Sequence, residues 1–249
     1  MPEQPEQQAP PVQRLRIRYA KRGRLRFTSH RDFSRAFERA VFRARIPMAY
    51  SSGFNPHPRI SYAGAAPTGA ASEAEYLEVG LARESDPQTI AAALDEALPD
   101  GLDVLDVVVS AGGSLADRLE ASEWRITVPG LAPDQAQEAV TRFLAAEEVP
   151  VERMTKKGLR TFDCRSAVVR LAARSAPASA EPCAILEVVL RHGTPSVRPD
   201  DVLAGLRDIT GLQAGAAPLH ERLAQGPLDV EAGTVGDPLV HDRDAAESS

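Results

Sequence analysis

Two histidines, His30 and His57, stand in the most basic part of the chain, and each has an arginine close by, Arg31 and Arg59. Histidine titrates close to neutral pH, so the pair, if brought to one mouth, could bind phosphate or move a proton. Each also has a purely structural reading. His30 can serve as a helix N-terminal residue bonded to a loop, and His57 is wedged between Pro56 and Pro58. Arg59 offers a planar fork to an anion and Asn55 an amide to a base edge, although an Asn before Pro56 is also an ordinary turn former. Arg31, Arg35 and Arg39 recur every fourth residue, and Lys156, Lys157, Arg160 and Arg165 make a second basic cluster. There Asp163 is either an ion-pair partner of Arg165 or a site acid, and lysines at a hairpin tip also keep an edge soluble. These residues are the candidate anion or RNA contacts, with His30 the candidate catalytic group.

Metal and thiol chemistry have little to work with. Neither His30 nor His57 has a carboxylate or cysteine at ligand spacing, and the two cysteines, Cys164 and Cys183, form no CxxC pair, so no metal and no cofactor is expected. His192, His220 and His241 stand apart from any acid–base partner in sequence. Trp124 reads as core.

The net charge of -6 conceals a separation. From Arg14 to Arg59 there are thirteen Lys or Arg and two acids, Asp32 and Glu38, a net +11; the rest holds 16 basic and 33 acidic residues, a net -17. Such polarity creates a local field able to steer a polyanion to an acidic protein. With 249 residues, enough for one large or two small domains, the chain should bury about 70–75% of its unfolded surface without a disulfide or metal. A signal-like start and an apolar run of membrane-spanning length are both absent, so a cytoplasmic location is expected.

The elements that must position these groups follow from periodicity. Residues 1–12 are expected to be a disordered leader. In RLRIRYA, Leu15, Ile17 and Tyr19 alternate with arginines, a strand with one apolar and one cationic face, and LRFT reads as a second run. Ser29 caps a helix over about 30–45, with Asp32 as its capping-box-like partner. Phe33, Phe37, Ala40, Val41 and Ala44 form its core stripe, and Arg31, Arg35, Arg39 and Arg43 the far side. Phe42 projects among the arginines, where it could stack on a base, meet a partner or touch a loop. Pro47 is expected to end the helix. After the loop SSGFNPHPR come strand, strand, helix and strand, so residues 13–110 have the order βαββαβ. A connector, 111–122, leads to a second series over 123–225, and 226–249 reads as an acidic disordered tail. The expected fold is α+β, two tandem ferredoxin-like units with antiparallel sheets, whose open sheet faces and arginine-bearing first strand would suit RNA.

The segments SHRDFSRAFERA, GFNPHPRISYAGAAPTG and TKKGLRTFDCRSAV together resemble the radical-SAM-associated protein family of unknown function, over roughly residues 14–225. Members are similar to the C-terminal domain of cobalamin-binding radical SAM proteins or stand alone beside them. The resemblance implies association rather than chemistry. Three cysteines on one short loop, a DxHxxG motif and a Walker-type phosphate loop are all missing from the sequence. The expected role is a noncatalytic RNA-binding or substrate-presenting accessory protein for a radical SAM partner. The alternatives are a metal-independent endoribonuclease using His30, assisted by Tyr19, Tyr50 or Lys21, and a protein-only adaptor.

Overall fold

The computed structural model describes residues 7–155, 158–176, 181–212 and 217–248. The chain is mixed α+β and divides into two compact units, Met1–Arg118 with Pro238–Ser249, and Leu119–Asp237. Among the described residues no helix is long and apolar enough to cross a membrane.

The first unit runs β1 (Gln13–Lys21), α1 (His30–Arg43), β2 (Ile60–Ala63), β3 (Ala71–Leu81), α2 (Pro87–Ala97) and β4 (Val104–Val109). Its strands lie in the order β4-β1-β3-β2, every neighbouring pair antiparallel. Alternation along β1 sends Leu15, Ile17 and Tyr19 into a core with Phe33 and Phe37 of α1 and Ile90 and Leu94 of α2. Ser29 Oγ accepts from the Asp32 N–H at 3.2 Å and donates to its carboxylate at 2.7 Å, which fixes the start of α1. The helix stops at Arg43, before Pro47, because Arg45 takes the left-handed conformation at φ 53°. LRFT is not a strand: Gly23–Phe27 closes a 3-10 turn.

The opposite sheet face is not the open cationic surface that β1 suggests. Arg16 is fully buried there. Its guanidinium donates to Glu78 at 3.0 Å, to both oxygens of Asp242 at 2.9 Å, and to the Gly112 and Gly113 carbonyls. Arg14 donates to Glu78 and Arg18 to the Glu73 carbonyl. Asp242 belongs to a C-terminal helix, Val240–Glu247, within the segment expected to be a disordered tail. That tail is instead folded: Leu228–Asp229 pairs with Thr234–Val235, and the helix returns to the first unit, where Arg118 also holds Asp242 and Arg243 pairs with Asp106. Apolar periodicity gave no warning, since a buried charge rather than an apolar stripe anchors this helix. Of the expected leader, residues 1–6 lie outside the described residues. Residues 7–12 lack regular secondary structure but are docked, the Val12 N–H donating to the Leu81 carbonyl at 2.8 Å.

The second unit runs β5 (Ala121–Pro129), α3 (Pro133–Ala145), β6 (Pro150–Thr155), β7 (Gly158–Asp163), β8 (Val168–Ser175), β9 (Cys183–Arg191), α4 (Pro199–Thr210) and β10 (Leu219–Gly226). Its sheet order is β10-β5-β9-β8, again antiparallel throughout. β6 and β7 pair only with each other, so the segment read as paired strands contains a separate hairpin inserted between α3 and β8. Trp124, Ile126 and Val128 of β5 are buried, as are Phe143 of α3 and Leu206 of α4. A polar chain threads this core. The Trp124 indole N–H donates to Ser122 Oγ at 2.8 Å, Ser122 Oγ lies 3.0 Å from His192 Nε2, and His192 Nδ1 lies 2.7 Å from the Leu119 carbonyl. A carbonyl only accepts, so Nδ1 carries the proton and Nε2 takes the Ser122 hydroxyl. Burial pushes the His192 pKa down, in keeping with a neutral ring. His192, without an acid–base partner in sequence, is therefore a structural residue of this core.

Candidate nucleic-acid interface

The fold sorts the basic residues of the first unit into two sets. In the turn after β1, Arg24 is exposed, but the arginines of β1 itself and Arg22 beside it are engaged within the unit: besides Arg14, Arg16 and Arg18, Arg22 is bound by Glu73 and Asp103. The arginines of α1 are not. Arg31, Arg35, Arg39 and Arg43 are all exposed, and none has an ion-pair partner among the described residues. Their spacing of four places them in a row about 18 Å long at 1.5 Å per residue. Arg35, Arg39 and Arg43 line an open groove of about 610 Å³ with Glu38 and Phe42. Phe42 is 82% exposed, whereas Phe33 and Phe37 on the same helix are 4% and 1% exposed. The groove exists because the core stripe holds α1 by its inner face, which leaves the side chains at 35, 38, 39, 42 and 43 facing water.

Further exposed aromatic rings flank that helix in sequence. Phe27, Tyr50 and Phe54 are exposed, and Arg26 lies over the Phe27 ring at 4.7 Å. With Phe42 they are the exposed aromatic side chains among the described residues, and all lie between positions 27 and 54. An aromatic in an amphipathic helix outside the apolar stripe is the signal for Phe42. Phe27 and Phe54 lie in a 3-10 turn and a loop, where no periodicity marks which way a ring points.

His30 and His57 are not brought together. His30 is exposed at the first position of α1, its ring edge-on to Tyr62 at a centroid distance of 4.9 Å. It borders a hollow of about 20 Å³, room for one water, with Tyr19, Lys21, Thr28, Phe33, Ala66 and Glu75 among its walls. Lys21 and Glu75 are buried there and both grip residue Ala66: Lys21 Nζ donates to its carbonyl at 3.3 Å, and the Glu75 carboxylate accepts from its N–H. Lys21 has the same parity along β1 as the core residues, but nothing local in the sequence pairs it with Glu75. His57 lines a different hollow, about 290 Å³, with Arg14, Ser51, Arg59, Ser61 and Glu78. Its backbone is tied to Ser51 in both directions, at 2.8 and 3.0 Å. Arg59 donates to the Tyr50 carbonyl, and Asn55 is exposed at the loop tip near Gly53, whose φ of 130° needs glycine.

The second basic cluster is dispersed. Lys156 and Lys157 lie outside the described residues. Arg160 is exposed on β7, opposite Arg153, which is held by Asp201 at 2.6 Å. Arg165 is turned inward to the Val168 and Leu144 carbonyls. Asp163 makes no ion pair with Arg165; its carboxylate accepts from the backbone N–H groups of Val149, Arg165 and Ser166. Desolvation works against its charged form, yet these hydrogen bonds hold its carboxyl below the usual range. Among the described residues no group of three His, Cys, Asp or Glu side chains is placed to hold a metal ion.

No curated protein matches the chain. Among solved structures, one that matches is the crystal structure of an unknown protein from Galdieria sulphuraria, 15% identical, covering 84% of this chain and 98% of that one. Its TM-score is 0.24, too loose a likeness to carry an argument. A family model matches residues 14–199; its description names neither radical SAM nor cobalamin-binding proteins. By that match the chain belongs to the bacterial family described as "Uncharacterized protein conserved in bacteria (DUF2344)".

Proposed function

We propose that the protein is a noncatalytic RNA-binding or substrate-presenting accessory protein that presents RNA to a partner enzyme, a radical SAM enzyme by the resemblance of the three segments quoted above. We read both units as ferredoxin-like, since each runs βαββαβ, once the β6–β7 hairpin is set aside, and each orders its strands fourth, first, third, second. The observation that carries the RNA reading is the row of unneutralised arginines on α1 around the exposed Phe42. Arginines without acidic partners attract phosphates, and an exposed ring among them offers a base a stacking surface. Buried Arg16 contributes nothing to it, and Arg14 and Arg18 are bonded to Glu78 and to the Glu73 carbonyl, so the binding surface we propose is the helix face rather than the sheet.

A filter-binding titration against structured RNA and DNA at several salt concentrations tests this reading. Four phosphate contacts give a slope of log affinity against log salt of about -2.8 where they fall on a single strand and about -3.6 on duplex DNA. Affinity that is absent, or indifferent to salt, removes the proposal. The endoribonuclease alternative receives less support, because the His30 ring has no hydrogen-bonding partner among the described residues. RNA incubated with EDTA-treated protein and with His30→Ala decides it: cleavage by the first and not the second would establish it.

A further inference from the structure

We infer that the α1 groove takes unpaired RNA, with a base stacked on Phe42 and the backbone following Arg35, Arg39 and Arg43; this rests on the RNA-binding reading above. Phosphate attraction alone would not distinguish a single strand from a duplex. Phe42 does. At 82% exposure it is the most solvent-accessible Phe, Tyr or Trp side chain of the described residues, and it lies on the most regular element of the basic segment, outside the helix's buried stripe. In a duplex every base already has its faces covered, and the A-form major groove is too deep and narrow for side chains to enter, so a protruding ring would find no partner there. An unpaired base offers its π-face to the ring and its phosphates to the flanking guanidinium groups.

Glu38 supports the same assignment. It lines the groove one helical turn before Phe42, and a carboxylate there would repel a phosphate but could accept from the exocyclic amine of a base. The centre of the groove is therefore suited to a base and its edge to the backbone. The alternative stacking surface, the sheet face opposite α1 and α2, is closed by Arg16, Glu78 and Asp242. That leaves the helix and the exposed rings that flank it in sequence, Phe27, Tyr50 and Phe54, as places in this unit where bases can be met, and of these rings Phe42 is the one that stands in the arginine-lined groove.

Fluorescence anisotropy of the full chain with a short labelled RNA of mixed sequence, alone and annealed to its complement, tests the inference. The single strand is expected to bind more tightly than the duplex. Phe42→Ala should weaken single-strand binding about five- to 150-fold with the salt slope unchanged, and Phe42→Trp should restore it. Arg39→Gln should instead lower the slope by about 0.7. Because Phe42 and Arg39 are exposed, neither change disturbs the core. Equal affinity for the two forms, or an unchanged Phe42→Ala variant, overturns the inference while leaving RNA binding intact. Failure of the wild-type chain to bind either form overturns the RNA-binding reading itself.

Discussion

Replacing Asp242 by Ala probes the least expected contact of the first unit. The carboxylate accepts two hydrogen bonds from Arg16 at 2.9 Å, one from Arg118 at 2.8 Å and one from the Ala111 N–H at 2.9 Å, and neither the Asp242 nor the Arg16 side chain has any exposure. Breaking a buried pair by removing one partner costs about 3–5 kcal/mol, because the other charge remains desolvated. Arg16 keeps Glu78 and two carbonyls, and Arg118, 18% exposed, can turn to water, so the cost belongs at the lower end, about 3 kcal/mol. That corresponds to about 150-fold in the opening equilibrium of the unit. The only tryptophan, Trp124, lies in the other unit, so amide hydrogen exchange of β1 and β4 is the suitable readout. Arg16→Met added to Asp242→Ala should recover part of the loss, since an apolar chain of similar volume needs no counter-charge. A protection loss below about tenfold, or a double variant no better than the summed single effects, would refute the reasoning.

Acidification should destabilise the second unit. His192 and His220 both have folded-state pKa values below the ordinary 6.5, so the unfolded chain binds protons first. Their contribution is complete above the unfolded pKa and is lost as pH falls through the folded values. Urea melts followed by Trp124 fluorescence from about pH 7.5 to pH 5 should show the decline, flattened in His192→Gln; stability rising on acidification would contradict it. Iodoacetamide should label Cys183 in the native protein and spare Cys164, which is buried and whose thiol is pushed up to about 12 by desolvation. Gly205→Ala should be destabilising, because the added Cβ would lie 2.7 Å from Val149 Cγ1 and 3.0 Å from Cys164 Sγ and from the Phe143 ring. Overpacking of about 1–3 kcal/mol outweighs the helix gain of about 1, and a higher urea midpoint would count against this.

The features legible in the amino-acid order are local. The alternation of Leu15, Ile17 and Tyr19, the Phe33–Phe37–Ala40–Val41 stripe and the Ser29–Asp32 cap are periodic or nearest-neighbour properties, and each is found where the pattern predicts it. The four arginines on the outer face of α1 follow from the same geometry. Which arginines remain charged toward solvent was a tertiary decision. Arg16 and Arg35 look alike in sequence, but one is bound by Asp242, 226 positions away, and the other by no acid among the described residues. No local signal marks Asp242 in an acid-rich terminus as the residue that is buried, so the pattern alone predicts a disordered tail and an open sheet face where the fold has neither. His30 and His57 were likewise separated by the path of the chain between them, which seats each in its own hollow. Burial and charge pairing depend on which segments meet, and periodicity along one segment carries no information about that.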